Sequence, residues 1–191
     1  MKSELSMSAV SDSRSQSTNI TLFGWLAALW GVVGFSYILL QALIRLTPYA
    51  LALQTEPLSL WHWPLLLGWI VFMGIAEGYR GFQKAFSPRF AARAAWLRES
   101  PGLFRGIFAP FFCMGFFGAT RKRKIVAWAL SSGIIVLILI VRQLPQPWRG
   151  IVDAGVVVGL TWGLLSVWWF VFKALVMNQE TADPELGALG N

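Results

Sequence analysis

Residues 125–141 read IVAWALSSGIIVLILIV, entered through Arg121-Lys122-Arg123-Lys124 and left through Arg142. No ionisable group interrupts the run. A helix needs roughly 20 residues to cross a hydrocarbon layer about 30 Å thick, so this one predicts a short, nearly upright span. A membrane β-strand would alternate apolar and polar residues. This stretch is solidly apolar, and a helix satisfies all its backbone amides internally.

Three more runs of the same kind lie outward from it, at residues 20–43, 58–76 and 151–172. The first is closed by Arg45 and Pro48, the second meets Glu77 and Arg80, and the last ends at Lys173. Composition agrees: 56% of the 191 residues are hydrophobic and 13% charged, against about 25% charged in a soluble domain. Lipid has to cover that excess. The expected fold class is an all-α membrane protein: four transmembrane helices, plus short interfacial amphipathic or re-entrant helices in a central cytoplasmic loop at 77–124. Residues 1–19, rich in Ser and poor in apolar groups, read as a disordered cytoplasmic tail rather than a signal peptide. Residues 20–177 make one transmembrane domain, and 178–191 a flexible cytoplasmic tail.

Sixteen Lys and Arg against nine Asp and Glu give a net charge of +7. Ten of the sixteen fall between spans two and three: Arg80, Lys84, Arg89, Arg93, Arg98, Arg105, Arg121, Lys122, Arg123 and Lys124. Positive loops stay cytoplasmic, so both termini are expected inside. The tryptophans fit that orientation, with Trp61, Trp63 and Trp148 at the outer interface and Trp25, Trp128, Trp168 and Trp169 at the inner one. The location expected is a bacterial inner membrane. Basic residues set between apolar runs point to anionic lipid headgroups rather than nucleic acid.

Residues 103–119, LFRGIFAPFFCMGFFGA, are too short after Arg105, at about 14 residues, to cross. Pro110 interrupts them, and a crossing here would carry the 121–124 cluster outside. They are assigned to the inner membrane surface. Ser87-Pro88 and Ser100-Pro101 predict helix starts. Arg89, Arg93, Trp96, Arg98, Phe104, Arg105, Phe108, Arg121, Lys122, Arg123 and Lys124 form the candidate lipid- or partner-binding set, with aromatics at the headgroup boundary and arginines reaching to phosphates. The blander alternative is that these helices only pad the inner ends of the spans.

Gly155, Gly159 and Gly163 repeat at the four-residue spacing that lets another helix approach. Gly24 and Gly31 in span one, and Gly74 and Gly78 at span two, offer comparable faces. The contact is either internal or between copies, and Gly159→Leu is expected to disrupt it. Ionisable residues near the span ends are expected in local pairs, Glu77 with Arg80 or with the basic cluster before span three, and Asp153 with Arg149 or, as the alternative, Arg142. His62, the one histidine, reads as an interfacial anchor with no serine presented to it by any motif. Cys113 beside Met114 is a faint soft-metal hint in apolar surroundings. No metal site and no cofactor is predicted, and phosphate-loop, HExxH and GxSxG motifs are absent. The function expected first is a non-enzymatic assembly, scaffolding or accessory factor, with a membrane-protein partner or a homo-oligomer. A small oligomeric transporter or channel comes second. An enzyme on a lipid-like substrate, using Glu77, Tyr79, Arg80 and the loop arginines, comes last.

Overall fold

In the computed structural model the described residues are 2–187, with side chains described from residue 22 onward. Among them the chain is all-helical, with four helices long and apolar enough to cross a membrane: Leu22–Gln54, His62–Glu99, Arg121–Val141 and Trp148–Leu175. Helix α1, Lys2–Leu51, continues into a 3-10 turn at Ala52–Gln54. It runs past Arg45 and Pro48, and Thr47 Oγ1 donates to the Leu43 carbonyl (2.7 Å) beside the proline. Serine and threonine hydroxyls commonly accompany proline in such helices. The stretch 2–19, expected as a disordered tail, extends α1 backward. Adding residues to a formed helix needs no new nucleus.

The largest departure from the sequence reading concerns the second helix. Helix α2, His62–Met73, passes into a π-helical segment, Gly74–Phe86, and then into α3, Ser87–Glu99, without a break. Residues 77–99 are therefore not loop. Pro88 falls in the first turn of α3, where the wider register hands over to the α register and the Ser87 N–H still bonds the Phe82 carbonyl five residues back. A proline is tolerated where its missing donor is not called on. What draws the segment inward is aromatic. Phe82, Phe86 and Phe90 follow one another at four-residue spacing, with ring centroids 5.5 and 5.6 Å apart. Phe35 of α1 packs on Phe86 at 5.1 Å and on Phe90 at 4.9 Å.

Two short helices follow, α4 (Leu103–Ile107) and α5 (Ala109–Met114). Neither is long enough to span. Pro110 opens α5, and Gly115, at φ 90°, closes it with a Phe116 N–H to Phe111 carbonyl bond, the left-handed C-terminal turn that glycine permits. Helices α6 (Arg121–Val141) and α7 (Trp148–Leu175) complete the chain.

Helices α1, α2–α3 and α7 lie side by side. His62 meets Trp148 at one end, and Arg98 reaches the Leu175 carbonyl at the other. The main core cluster lies toward the second, basic end, built from Ala28, Val32 and Phe35 of α1, Phe90, Ala94 and Leu97 of α3, Phe112 and Cys113 of α5, and Val167 and Val171 of α7, with Leu53 and Ile151 buried toward the other end. Helix α2 buries none of its residues, and α6 buries only Val141. The seven consecutive side chains from Ile134 to Ile140 on α6 are all exposed, so every side of that helix is open.

Candidate functional site

The polar groups that the fold brings together lie at the basic end, around a residue the sequence reading left in a flexible tail. Residues 178–187 fold back across α3 and the 115–120 turn. The Thr120 N–H donates to the Glu185 carbonyl (3.0 Å), the Gly187 N–H to Gly118 (3.2 Å), and Thr181 Oγ1 to Pro88 (2.8 Å). Ala119 and Leu186 pair across an isolated antiparallel bridge. This turns the Glu185 carboxylate toward two arginines. Arg89 Nε lies 2.8 Å from Oε1, and Arg123 Nε lies 3.5 Å from Oε2.

Arg93, a candidate headgroup ligand from sequence, is buried at 1% exposure. Its guanidinium donates to the Phe112 carbonyl at 3.1 Å and the Glu185 carbonyl at 3.0 Å. That position corrects the expectation: Arg93 is an internal tie, not a surface contact. Burial of α3 against α1 and α7 has turned its arginine inward, and backbone carbonyls satisfy it. Arg98 is also tied inside the chain, to the carbonyl of Leu175 and the Asn178 side chain, with its guanidinium over Trp25. Arg105 stacks over Trp96. Arg121, Lys122, Lys124, Phe104 and Phe108 remain exposed.

Cys113 is buried beneath this cluster. Desolvation pushes its thiol up to about 12, against a smaller opposing pull from Arg93. A thiol held neutral is a poor nucleophile and a poor metal ligand. Among the described residues no three His, Cys, Asp or Glu are grouped to hold a metal.

The second polar feature lies within the helices. Glu77, in the π segment, packs against Gly159 near the middle of α7, and its Oε2 is buried without a hydrogen-bond partner. Among the described residues no ion pair joins it to Arg80, so the expected local pair is not formed. The wider π turn leaves Arg80 exposed while Glu77 faces α7. Tyr79 is exposed as well, with Lys84 over its ring at 4.7 Å. The glycines of α7 meet the second helix in succession: Gly155 faces Trp69, Gly159 faces Glu77 and Gly163 faces Phe82. Gly78 faces back to Trp162, and Gly74 approaches Val158 at a looser 3.8 Å. In α1, Gly24 abuts the Arg98 backbone and Gly31 abuts Cys113.

At the opposite end, Arg149 Nε stands 3.6 Å from Asp153 Oδ2, close as a charge pair but not hydrogen-bonded. The Arg149 guanidinium also covers the Tyr49 ring. His62 does have a serine beside it. Ser59 Oγ lies 3.0 Å from Nδ1, and the Ser59 backbone N–H donates to the same nitrogen at 3.1 Å. With the His62 N–H bonded to the Ser59 carbonyl, the pair locks the start of α2 in the manner of a capping box. It is local geometry rather than a catalytic dyad.

No family model, curated protein or solved structure matches this chain. Function has to be read from the geometry. Sequence reasoning missed Glu185 because an acid in a polar, proline-containing tail carries no signal of its target. It also missed the Phe82, Phe86 and Phe90 ladder, whose spacing was visible.

Proposed function

We propose that the chain is a non-enzymatic assembly factor of a membrane, and that α6 is the helix it offers to another membrane protein or to a second copy of itself. One observation carries this reading. The glycine faces of α1, the π segment and α7 are all occupied within the chain, while α6 takes almost no part in its packing. Ala129, Ser132 and Gly133 share one exposed face of α6, and nothing lies within 4 Å of the space a side chain at Gly133 would enter. Helices associate in lipid through close approach at small residues.

Gly133→Leu is expected to leave the detergent unfolding midpoint unchanged, because among the described residues nothing lies within 4 Å of its new Cβ. It should reduce the yield of a co-purified partner or homo-oligomer at least about fivefold, the loss of roughly 1 kcal/mol of helix contact. An undiminished complex in that variant would remove α6 from the interface.

A second reading, a small transporter, is favoured by Glu77. An ionisable group within a candidate span, with one oxygen unpartnered and set in a π-helical turn, is the kind of residue that binds a transported proton or cation. If so, proton flux into proteoliposomes of the pure protein should fall to background in Glu77→Gln. Flux at the wild-type rate, or none from the wild type, removes this reading.

A further inference from the structure

Glu185 brings its carboxylate to a cluster of three guanidinium groups, with the Asp183 carboxylate close behind it, accepting the Glu185 N–H at 2.7 Å. Arg89 and Arg123 each approach a different oxygen of its carboxylate, at 2.8 and 3.5 Å, while the nearby Arg93 donates to carbonyls only. Cations are left over. Arg121, Lys122 and Lys124 stand exposed on the same turn of α6 as Arg123, and among the described residues none of them is in an ion pair. Each guanidinium offers the carboxylate its Nε and turns a second nitrogen to the Ala85 carbonyl, which fixes the two side by side; guanidinium groups gathered on one anion in this way suit a phosphate as well as a carboxylate.

The occupant is held in a conformation it would not choose. Glu185 sits at φ 48°, in the left-handed region, which a non-glycine residue keeps only where its surroundings impose it. Residues 178–187 have no regular helix of their own, and few backbone bonds hold them down. Besides its ion pairs the segment is held by the Thr120 and Arg93 bonds to the Glu185 carbonyl, the Thr181 hydroxyl on Pro88 and the Gly187 N–H on Gly118, so a better anion has a strained carboxylate and a short set of local bonds to displace.

The surroundings say which anion. The seat lies on the first turn of α6, immediately before Ile125 and Trp128, both exposed. From Trp128 the aromatic contacts run through Phe116 (5.1 Å) to Phe111 (5.9 Å) on the exposed face of α5, and α4 exposes Phe104 and Ile107. Cations at the mouth of a long apolar helix, beside an apolar shelf, suit an amphiphile with a phosphate head and acyl chains. We propose that Arg89 and Arg123 form a seat for the phosphate of an anionic phospholipid, and that Glu185 fills this seat when no lipid holds it. The seat is independent of whether α6 also binds a partner.

The test uses the full chain in nanodiscs. In wild-type protein, cleavage of the tail by a glutamate-specific protease should rise about fivefold in phosphatidylglycerol over phosphatidylcholine. Equal cleavage in the two lipids overturns the proposal. After delipidation, Glu185→Gln should retain about fivefold more phosphatidylglycerol than wild type, measured by native mass spectrometry. Arg89→Gln with Arg123→Gln should retain less than wild type. If that pair misfolds, Arg89→Lys with Arg123→Lys, which keeps charge and loses the second nitrogen that anchors each group to the Ala85 carbonyl, should fall between. Retention in Glu185→Gln no higher than wild type refutes the exchange. Inorganic phosphate at 10 mM separates the sources. Tail release by phosphate alone, in phosphatidylcholine, would assign the seat to a soluble phosphate and overturn the lipid reading.

Discussion

Gly24→Ala is expected to destabilise the protein by about 3 kcal/mol, the upper end of what overpacking usually costs. A Cβ built on Gly24 would overlap the Arg98 carbonyl oxygen and come within 2.9 Å of its carbon and 3.2 Å of its Cα. These are backbone atoms, so no rotamer change relieves the clash. Arg98 is moreover the last-turn residue of α3 that ties this helix to the end of α7 and to Asn178. Moving its backbone would loosen α1 from α3 and α3 from α7 together. Gly68→Ala and Gly133→Ala are the controls, since nothing lies within 4 Å of either new methyl. They should leave the midpoint unchanged or raise it slightly, because alanine is the better helix former. Unfolding followed by circular dichroism during denaturant titration in detergent gives all three values. A Gly24→Ala midpoint equal to the controls would mean that α1 and α3 are not in contact there.

Four long apolar helices were legible because apolar side chains need no specific partner and so write themselves as uninterrupted runs. The break at 108–110 was legible for the opposite reason, since proline acts through the backbone alone. The continuation of the second helix was harder. Arg89, Arg93 and Arg98 interrupt it at nearly helical spacing and look like a solvated stripe. Only the complementary stripe of Phe82, Phe86, Phe90, Ala94 and Leu97 shows that the other face has a core to enter. Whether an arginine faces water or a carbonyl depends on what folds over it. Here that cover comes from residues 178–187, about ninety positions away, whose sequence has little apolar content. For the same reason Glu77 looked like an end-of-span residue until the helix was seen to run on past it.

Arg93→Ala is expected to cost a similar amount, about 3 kcal/mol, and to free residues 178–187 at the same time. Two opposed effects decide the size. Burying a cation is costly, so removing it recovers part of its desolvation penalty. Against this, Arg93 is the largest fully buried side chain among the described residues, and truncating it leaves a cavity beside Phe112 and Cys113. Large-to-small core changes cost about 2–5 kcal/mol. The Phe112 carbonyl loses its arginine donor but keeps the Gly115 N–H at 3.0 Å, so the cavity sets most of the cost. The losses outweigh the recovery. Arg93→Lys distinguishes charge from geometry. An ammonium can reach one of the two carbonyls but cannot fork between Phe112 and Glu185, so it should retain stability better than alanine while still releasing the tail. The readouts are therefore separate: the unfolding midpoint reports the cavity, and protease cleavage within 178–187 reports the tie. If the tail stays as protected in Arg93→Lys as in wild type, then Arg89, Arg123 and the Thr120 N–H hold Glu185 without Arg93, and Arg93 serves only to fill the core.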